Sequence, residues 1–250
     1  MSGYYEHAHK LMGIFNSLVF TSLNAVMEAR VSYLFALNRT DEIRQCIRRA
    51  MDFTFLMGMG CIFGIAGISH VFVPLFWGPG WAPVETLVYF MCPLTIIIGV
   101  SYCLGSLYYN PSGNRAQSAR YLIYGACVNL VLNLLLIPKW SAYGAVIASI
   151  IAEGTITTLY VRNCKGYLTV KTILECAWKR LLAGLAMCAL VMAVGKLDIE
   201  NSVLKLILQI ISGGCFYVAV LYAAKDEMLK EMLELIIGYG KKLLRRIKHG

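Results

Sequence analysis

The sequence contains little charge for its length. Asp, Glu, Lys and Arg make up 15% of its 250 residues, whereas 58% of the residues are hydrophobic. Soluble domains carry about a quarter charged residues and are about half apolar. The composition therefore excludes an ordinary soluble domain and indicates a polytopic membrane protein.

The sequence also lacks recognisable catalytic or metal-binding motifs. Its nine cysteines and four histidines have no spacing typical of a metal site or a disulfide framework, so we expect neither metal nor cofactor. The longest predicted internal loop, about residues 162–180, holds one acid, Glu175. A membrane-embedded polysaccharide enzyme would need clustered acids, arginines or histidines in such a segment. An enzyme is therefore disfavoured.

Hydrophobic runs dominate the chain instead. A transmembrane helix needs about 20 apolar residues. Seven runs meet or approach this length, at residues 11–34, 53–76, 87–109, 121–137, 142–161, 181–197 and 203–224. The sequence predicts an all-α membrane domain of seven transmembrane helices over residues 1–224.

The remaining residues, 225–250, form a basic tail. Apolar residues recur in it at helical spacing, and Lys and Arg concentrate near its end. This pattern predicts an amphipathic helix on the anionic cytoplasmic leaflet of a membrane. A solvated tail or a tail packed on the bundle is the alternative.

The positive charges are unevenly distributed between the two sides of the predicted bundle. Eighteen of the 23 Lys and Arg residues lie in the tail or in the segments after runs one, three and five. Cytoplasmic segments carry such an excess, so we expect a cytoplasmic C-terminus and an N-terminus outside. The first ten residues, MSGYYEHAHK, lack the features of a signal peptide. We therefore expect a further segment upstream of Met1.

Polar residues interrupt three of the runs at helical spacing. They are Ser17, Thr21, Asn24 and Glu28 in run one, Asn129 and Asn133 in run four, and Ser149 and Glu153 in run five. Residues three or four apart share one face of a helix. Polar groups at membrane depth face a bundle interior or a watery cavity. We predict cavity-lining roles for Glu153, Glu28, Asn24, Asn129, Asn133 and Ser149.

Two charged residues in the runs have alternative interpretations. Glu153 lies about 16 Å along its helix from Ala142, near the bilayer midplane. It is either a neutral acid bonded to a neighbouring helix or a cavity group coupled to substrate or protons. Arg30, pointing about 200° from Glu28, is either a cavity cation or a side chain that reaches out to lipid phosphates.

The order of these motifs resembles a known family. SGYYEHAHKL at residues 2–11, EARVS at 28–32 and VNLVLNLLLIPKWSAYGAVIASIIAE at 128–153 are similar to segments of polysaccharide flippases of the multidrug/oligosaccharidyl-lipid/polysaccharide superfamily. Ala29 stands where the family has proline, and Ser141 where it has the first glycine of its signature. The resemblance covers nearly the whole chain and corresponds to the C-terminal lobe of such a flippase.

That resemblance implies a function. Such flippases have two helical bundles and move undecaprenyl-pyrophosphate-linked oligosaccharide repeat units across the bacterial inner membrane by alternating access, for surface polysaccharide assembly. The expected partners are this lipid-linked oligosaccharide, membrane lipids and a missing N-terminal lobe, with no nucleic acid. Glu28 and Glu153 would bind a coupling cation or proton. A drug or cation antiporter of the same superfamily, which would use buried carboxylates in the same way, is the alternative.

The same interpretation predicts the gene structure. A second bundle requires a coding sequence that continues about 200 residues or more upstream of Met1. Sequencing the locus tests this expectation. An in-frame stop codon and a ribosome-binding site immediately before Met1, together with retained flipping activity, would contradict it.

Overall fold

The computed structural model is all-α, as predicted. It describes residues 2–17, 22–78 and 80–249, and within these the side chains of residues 2, 14–16, 22–26 and 239–249 are outside the description. The helices are α1 (Ser2–Asn16), α2 (Ser22–Ala36), α3 (Thr40–Trp77), α4 (Ala82–Leu104), a π-helical turn (Gly105–Tyr109), α5 (Arg115–Asn163), α6 (Val170–Gly195), α7 (Ser202–Ala223) and α8 (Glu227–His249).

Five helical segments in the described part of the chain are long and apolar enough to cross a membrane. They are Thr40–Trp77, Ala82–Tyr109, Arg115–Asn163, Val170–Gly195 and Ser202–Ala223. Runs four and five both lie in α5, while run one falls on α1 and α2, on either side of residues 18–21, which are not described. The structure thus supports a multi-pass membrane protein, and the count of seven transmembrane helices stays a prediction.

The longest helix, α5, reverses direction near its middle. A straight helix of 49 residues would be about 74 Å long, more than twice the hydrocarbon thickness of about 30 Å. The break is at Ser141, with φ 48° and ψ −127°. These angles are close to those of the first central residue of a type II′ turn, where glycine is preferred. We call residues 115–140 the first arm of α5 and residues 142–163 the second arm.

The two arms pack closely against each other. A Cβ atom at Gly125 would collide with the Ile156 side chain, and one at Gly144 would lie 2.5 Å from the Leu136 carbonyl oxygen. Small residues allow this approach of helix backbones, which favours helix association in lipid. The arms therefore form a tight antiparallel pair, with the reversal at one end of the bundle.

Helix α3 is central to the bundle. It packs against α2, α4, α6 and α7. Its buried residues Ile47, Ile62 and Leu56 belong to three different apolar clusters, the last of which also contains Leu229 of α8. α3 therefore connects both ends of the bundle to α6 and α7.

The first arm of α5, in contrast, lies at the edge of the bundle. Large apolar side chains on it are exposed, namely Leu122, Ile123, Leu130, Val131, Leu134 and Leu135. In a bilayer these side chains would contact lipid or another apolar helix. Hydrogen bonds between Ser118 and Tyr160 and between Asn129 and Ser149 join the first arm to the second.

One predicted boundary is wrong. Residues 162–180 were expected to form a polar loop, but α6 already begins at Val170. Thr169 caps this helix, since its Oγ1 accepts a hydrogen bond from the Thr172 backbone N–H at 3.2 Å. Consequently Glu175 and Arg180 are helical residues. The tail is helical as expected, over Glu227–His249.

The arm contact predicts opposite effects for two glycines of the second arm. In Gly144→Ala the new methyl group would collide with the Leu136 backbone, so we expect a loss of about 1–3 kcal/mol in the free energy of unfolding. Gly154→Ala is the matched control. No atom lies within 4 Å of a Cβ at Gly154, and alanine stabilises a helix by about 0.5–1 kcal/mol over glycine. Unfolding of both variants in one detergent measures the difference, and equal stabilities would contradict the close arm contact.

Candidate functional site

The end of α4 positions one of the predicted carboxylates. A π-helical turn, Gly105–Tyr109, follows α4, and the Asn110 backbone N–H donates to the Gly105 carbonyl oxygen at 3.0 Å. Asn110 Nδ2 also donates to Glu28 Oε1 of α2 at 3.3 Å. π-Helical turns are frequent at functional sites. This one brings Glu28, which is half-buried, to the side chain of Asn110.

Glu153 lies in a cavity that also contains Asn110. The cavity has a volume of about 330 Å³ and lies between α4 with its π turn and the two arms of α5. Its polar lining residues are Ser101, Ser106, Asn110, Ser118, Glu153 and Tyr160. Glu153 is half-buried. The same Asn110 donates a hydrogen bond to Glu28, which therefore lies next to this cavity. We call it the Glu153 cavity.

Tyr160, which lines the Glu153 cavity, is held in place by contacts with Ser118 and Tyr109. Tyr160 OH and Ser118 Oγ are 2.6 Å apart, and Tyr109 OH donates to the Tyr160 carbonyl oxygen at 3.0 Å. The rings of Tyr109 and Tyr160 stack with their centroids 4.5 Å apart. Stacked, hydrogen-bonded rings of this kind resist rearrangement because moving one leaves buried polar groups unpaired.

The predicted amide residues lie in a second cavity. It has a volume of about 460 Å³ and is lined by Tyr5 of α1 and by both arms of α5 around Asn129, Asn133 and Ser149. Asn129 Nδ2 donates to Ser149 Oγ at 3.4 Å, and Asn133 Nδ2 donates to Asn129 Oδ1. Asn133 Oδ1 is buried and has no hydrogen-bond partner among the described residues. We call this space the asparagine cavity.

Arg30 lies in a third cavity, of about 210 Å³, between α2, α3 and α8. Its side chain is exposed, and Glu42, Gln45 and Arg49 are among the neighbouring lining residues. The side chain of Asn24 is outside the described residues. The structure thus distributes the predicted site residues over three cavities. Glu28 and Glu153 adjoin the first, the two asparagines and Ser149 the second, and Arg30 the third.

The two polar cavities are stacked along the second arm of α5. Ser149 of the asparagine cavity and Glu153 of the Glu153 cavity are four residues apart, or about 6 Å along the helix axis. Residues of the first arm line both cavities, Asn129 and Asn133 in one and Ser118 and Leu122 in the other. The two arms thus bring carboxylate, amide, hydroxyl and phenol groups close together among side chains that are otherwise apolar.

Comparison with known proteins identifies the fold. No protein-family model and no curated protein matches the sequence. The fold, however, is similar to that of a solved helical membrane protein. The solved structure described as lipid II flippase MurJ in an inward closed conformation matches 90% of this chain with a TM-score of 0.64 and 15% sequence identity. The match covers 47% of that protein, so this chain spans about half its length. The similarity is to a transporter and not to an enzyme.

A buried ionic cluster was not predicted from the sequence. Arg180 Nη1 lies 2.6 Å from Asp52 Oδ1, and Arg180 Nη2 lies 3.1 Å from Asp226 Oδ2. The Arg180 and Asp226 side chains are only 5% and 4% exposed. Asp226 Oδ1 also accepts from the Leu229 backbone N–H at 3.0 Å, which caps the first turn of α8. This Arg180 cluster joins α3, α6 and the start of α8.

Two sequence signals pointed weakly to this cluster. Asp226 precedes an apolar helical repeat, which is the position of a helix cap, and Asp52 stands at the edge of run two. Arg180, however, was predicted to lie in a cytoplasmic loop. A cation at the end of a hydrophobic run is usually explained by loop placement, so its two carboxylate partners, distant in sequence, were not apparent.

Removing the Arg180 side chain from the cluster should lower the stability of the protein. Arg180→Met leaves Asp226 buried without its partner, and we expect a loss of about 3–5 kcal/mol in the free energy of unfolding. Arg48→Met is the control, because the exposed Arg48 and Glu175 lie 3.5 Å apart and such a pair contributes about 0–1 kcal/mol. Unfolding in the same detergent compares the two variants. Similar losses would show that the Arg180 cluster has no special role in stability.

Proposed function

We propose that this chain is one lobe of a flippase that moves lipid-linked oligosaccharides across the bacterial inner membrane. Two independent observations support the proposal. The sequence motifs resemble those of polysaccharide flippases in their order and spacing, and the fold is similar to that of a solved lipid II flippase over 90% of the chain. The proposed substrate is an undecaprenyl-pyrophosphate-linked oligosaccharide repeat unit destined for surface polysaccharide.

The proposed topology has seven transmembrane helices with the N-terminus outside and the C-terminus in the cytoplasm. The starts of α3 and α6 and the end of α7 would then share the cytoplasmic side with both ends of the α5 hairpin. Arg39, Arg44, Arg48, Arg49 and Arg162 belong to these helix ends, as the positive charge of a cytoplasmic side requires. The α5 reversal at Ser141 would lie at the outer side.

A second helical bundle completes the proposed transporter. The match to about half of the flippase chain supports it. So do the apolar side chains exposed on the first arm of α5, whose other residues line both cavities. The second lobe would cover this side and enclose the transport path, so the chain described here would not transport alone.

The proposed roles of the lining residues follow from their chemistry. Amide and hydroxyl groups form hydrogen bonds with sugar hydroxyls. Asn129, Asn133 and Ser149 would therefore bind the oligosaccharide. Arg30, near the proposed cytoplasmic mouth, suits contact with a phosphate. Asn24 lies four residues before Glu28, so it would share a face of α2 with that carboxylate. Glu28 and Glu153 would bind a proton or coupling cation, a role that a drug or cation antiporter of the same superfamily would share.

The proposed coupling mechanism depends on Glu153, a carboxyl group that lines a cavity inside an apolar bundle. Glu153→Gln in the complete transporter should abolish export at normal protein abundance, because the amide preserves shape and hydrogen bonding but cannot ionise. Export is followed as surface polysaccharide, with the membrane-protein level measured in the same cells. Glu175→Gln is the control, since Glu175 is exposed on α6, and should export normally.

A second substitution separates transport from packing. If Glu153 is only a neutral packing residue, Glu153→Gln should export normally. Glu153→Leu should then reduce abundance, through loss of an interhelical hydrogen bond of about 0.6–2 kcal/mol. Wild-type export by the Gln variant would exclude an essential ionised carboxylate at this position.

A further inference from the structure

The first turns of α8 are fixed to the bundle. α7, a candidate membrane span, ends at Ala223, and α8 begins at Glu227 beside the Arg180 cluster. Leu229 is buried against α3 and α7, and Leu233 is partly buried in the same cluster. Arg49 Nη2 of α3 lies 3.6 Å from Glu231 Oε1. α8 therefore starts at the end of a membrane span, in a fixed position.

Beyond these turns the apolar face of α8 continues without protein to cover it among the described residues. Leu235, Ile236 and Ile237 are 62%, 63% and 55% exposed. The sequence then places Leu243, Leu244 and Ile247 seven, eight and eleven residues after Ile236. At about 100° per residue these positions fall within about 80° of Ile236 around the helix. One apolar stripe thus runs from the docked turns to the end of α8.

The charges of α8 are segregated along its length. The acids Glu227, Glu231 and Glu234 all precede Gly238, whereas residues 239–250 contain no acid and five cations, namely Lys241, Lys242, Arg245, Arg246 and Lys248. On a helical projection of the sequence at about 100° per residue, these positions fall beside and opposite the apolar stripe. An apolar stripe flanked by cations matches an anionic lipid surface, where each Lys or Arg is attracted to the headgroups.

We propose that residues 235–249 of α8 form a docking surface for anionic phospholipid, held beside the bilayer by the Arg180 cluster. A second copy of this chain fits the surface poorly, since pairing the two stripes would bring ten cations together. The helix also needs a partner, because isolated helices of about 12–15 residues are only marginally stable in water. The inference does not depend on which substrate the bundle transports.

Hydrogen exchange of the chain in nanodiscs tests the proposal. The amides of residues 235–249 are followed by mass spectrometry in nanodiscs of phosphatidylcholine alone and of phosphatidylcholine mixed with phosphatidylglycerol. Anionic lipid should slow their exchange about tenfold or more. Peptides from α3 and α6 report in the same experiment whether the bundle is folded, and their exchange should be equal in both lipids.

Two variants that remove equal positive charge test whether the slower exchange in anionic lipid depends on the cations of α8. Lys241→Gln, Lys242→Gln and Arg245→Gln together should remove the slowing by anionic lipid. Arg162→Gln, Lys165→Gln and Lys171→Gln together remove the same charge outside α8 and should preserve it. Equal protection of residues 235–249 in both lipids, rapid exchange in both, or protection that rises with chain concentration would each overturn the proposal.

Discussion

The chain reversal at Ser141 is the constraint on which the candidate site depends. Lipid offers no hydrogen bonds to the backbone, so each segment that crosses it must be helical, and 49 helical residues are too long for one crossing. The reversal folds α5 into two arms, and Gly144 lets their backbones meet. Because the arms are antiparallel and close, Asn129 on one reaches Ser149 on the other. Glu153 lies one turn further along the same arm.

Charged side chains inside the bundle lie in two different kinds of environment. Arg180 is surrounded by two carboxylates and is nearly inaccessible, so its cluster is suited to fastening α3, α6 and α8 together. Glu28 and Glu153 have no arginine or lysine within salt-bridge distance among the described residues, and both adjoin the Asn110 side of an open cavity. A charge that is fully paired stabilises one arrangement, whereas a carboxylate facing a cavity is available to a ligand or proton.

The hydrophobic runs predicted the helices because the length and composition of a membrane helix are set by the bilayer. Helical spacing predicted that Asn129 and Asn133 share a helix face, but their approach to Ser149 depends on the reversal at Ser141. Asn110 was not predicted as a site residue, because a polar residue after a hydrophobic run is usually assigned to a loop. No local sequence pattern indicates the π-helical turn before it. Arg180 was misplaced for a similar reason, as its partners are 128 and 46 residues away in sequence.

The central claim is that this bundle belongs to a transporter of lipid-linked oligosaccharides. The most direct measurement reconstitutes the complete transporter in liposomes with a fluorescent undecaprenyl-pyrophosphate oligosaccharide in both leaflets. A membrane-impermeant reductant then destroys the fluorophore that reaches the outer leaflet. The account predicts loss of nearly all fluorescence with the transporter and of about half without it, because only one of two leaflets is then accessible to the reductant. Loss of only half with the folded transporter present would contradict the account.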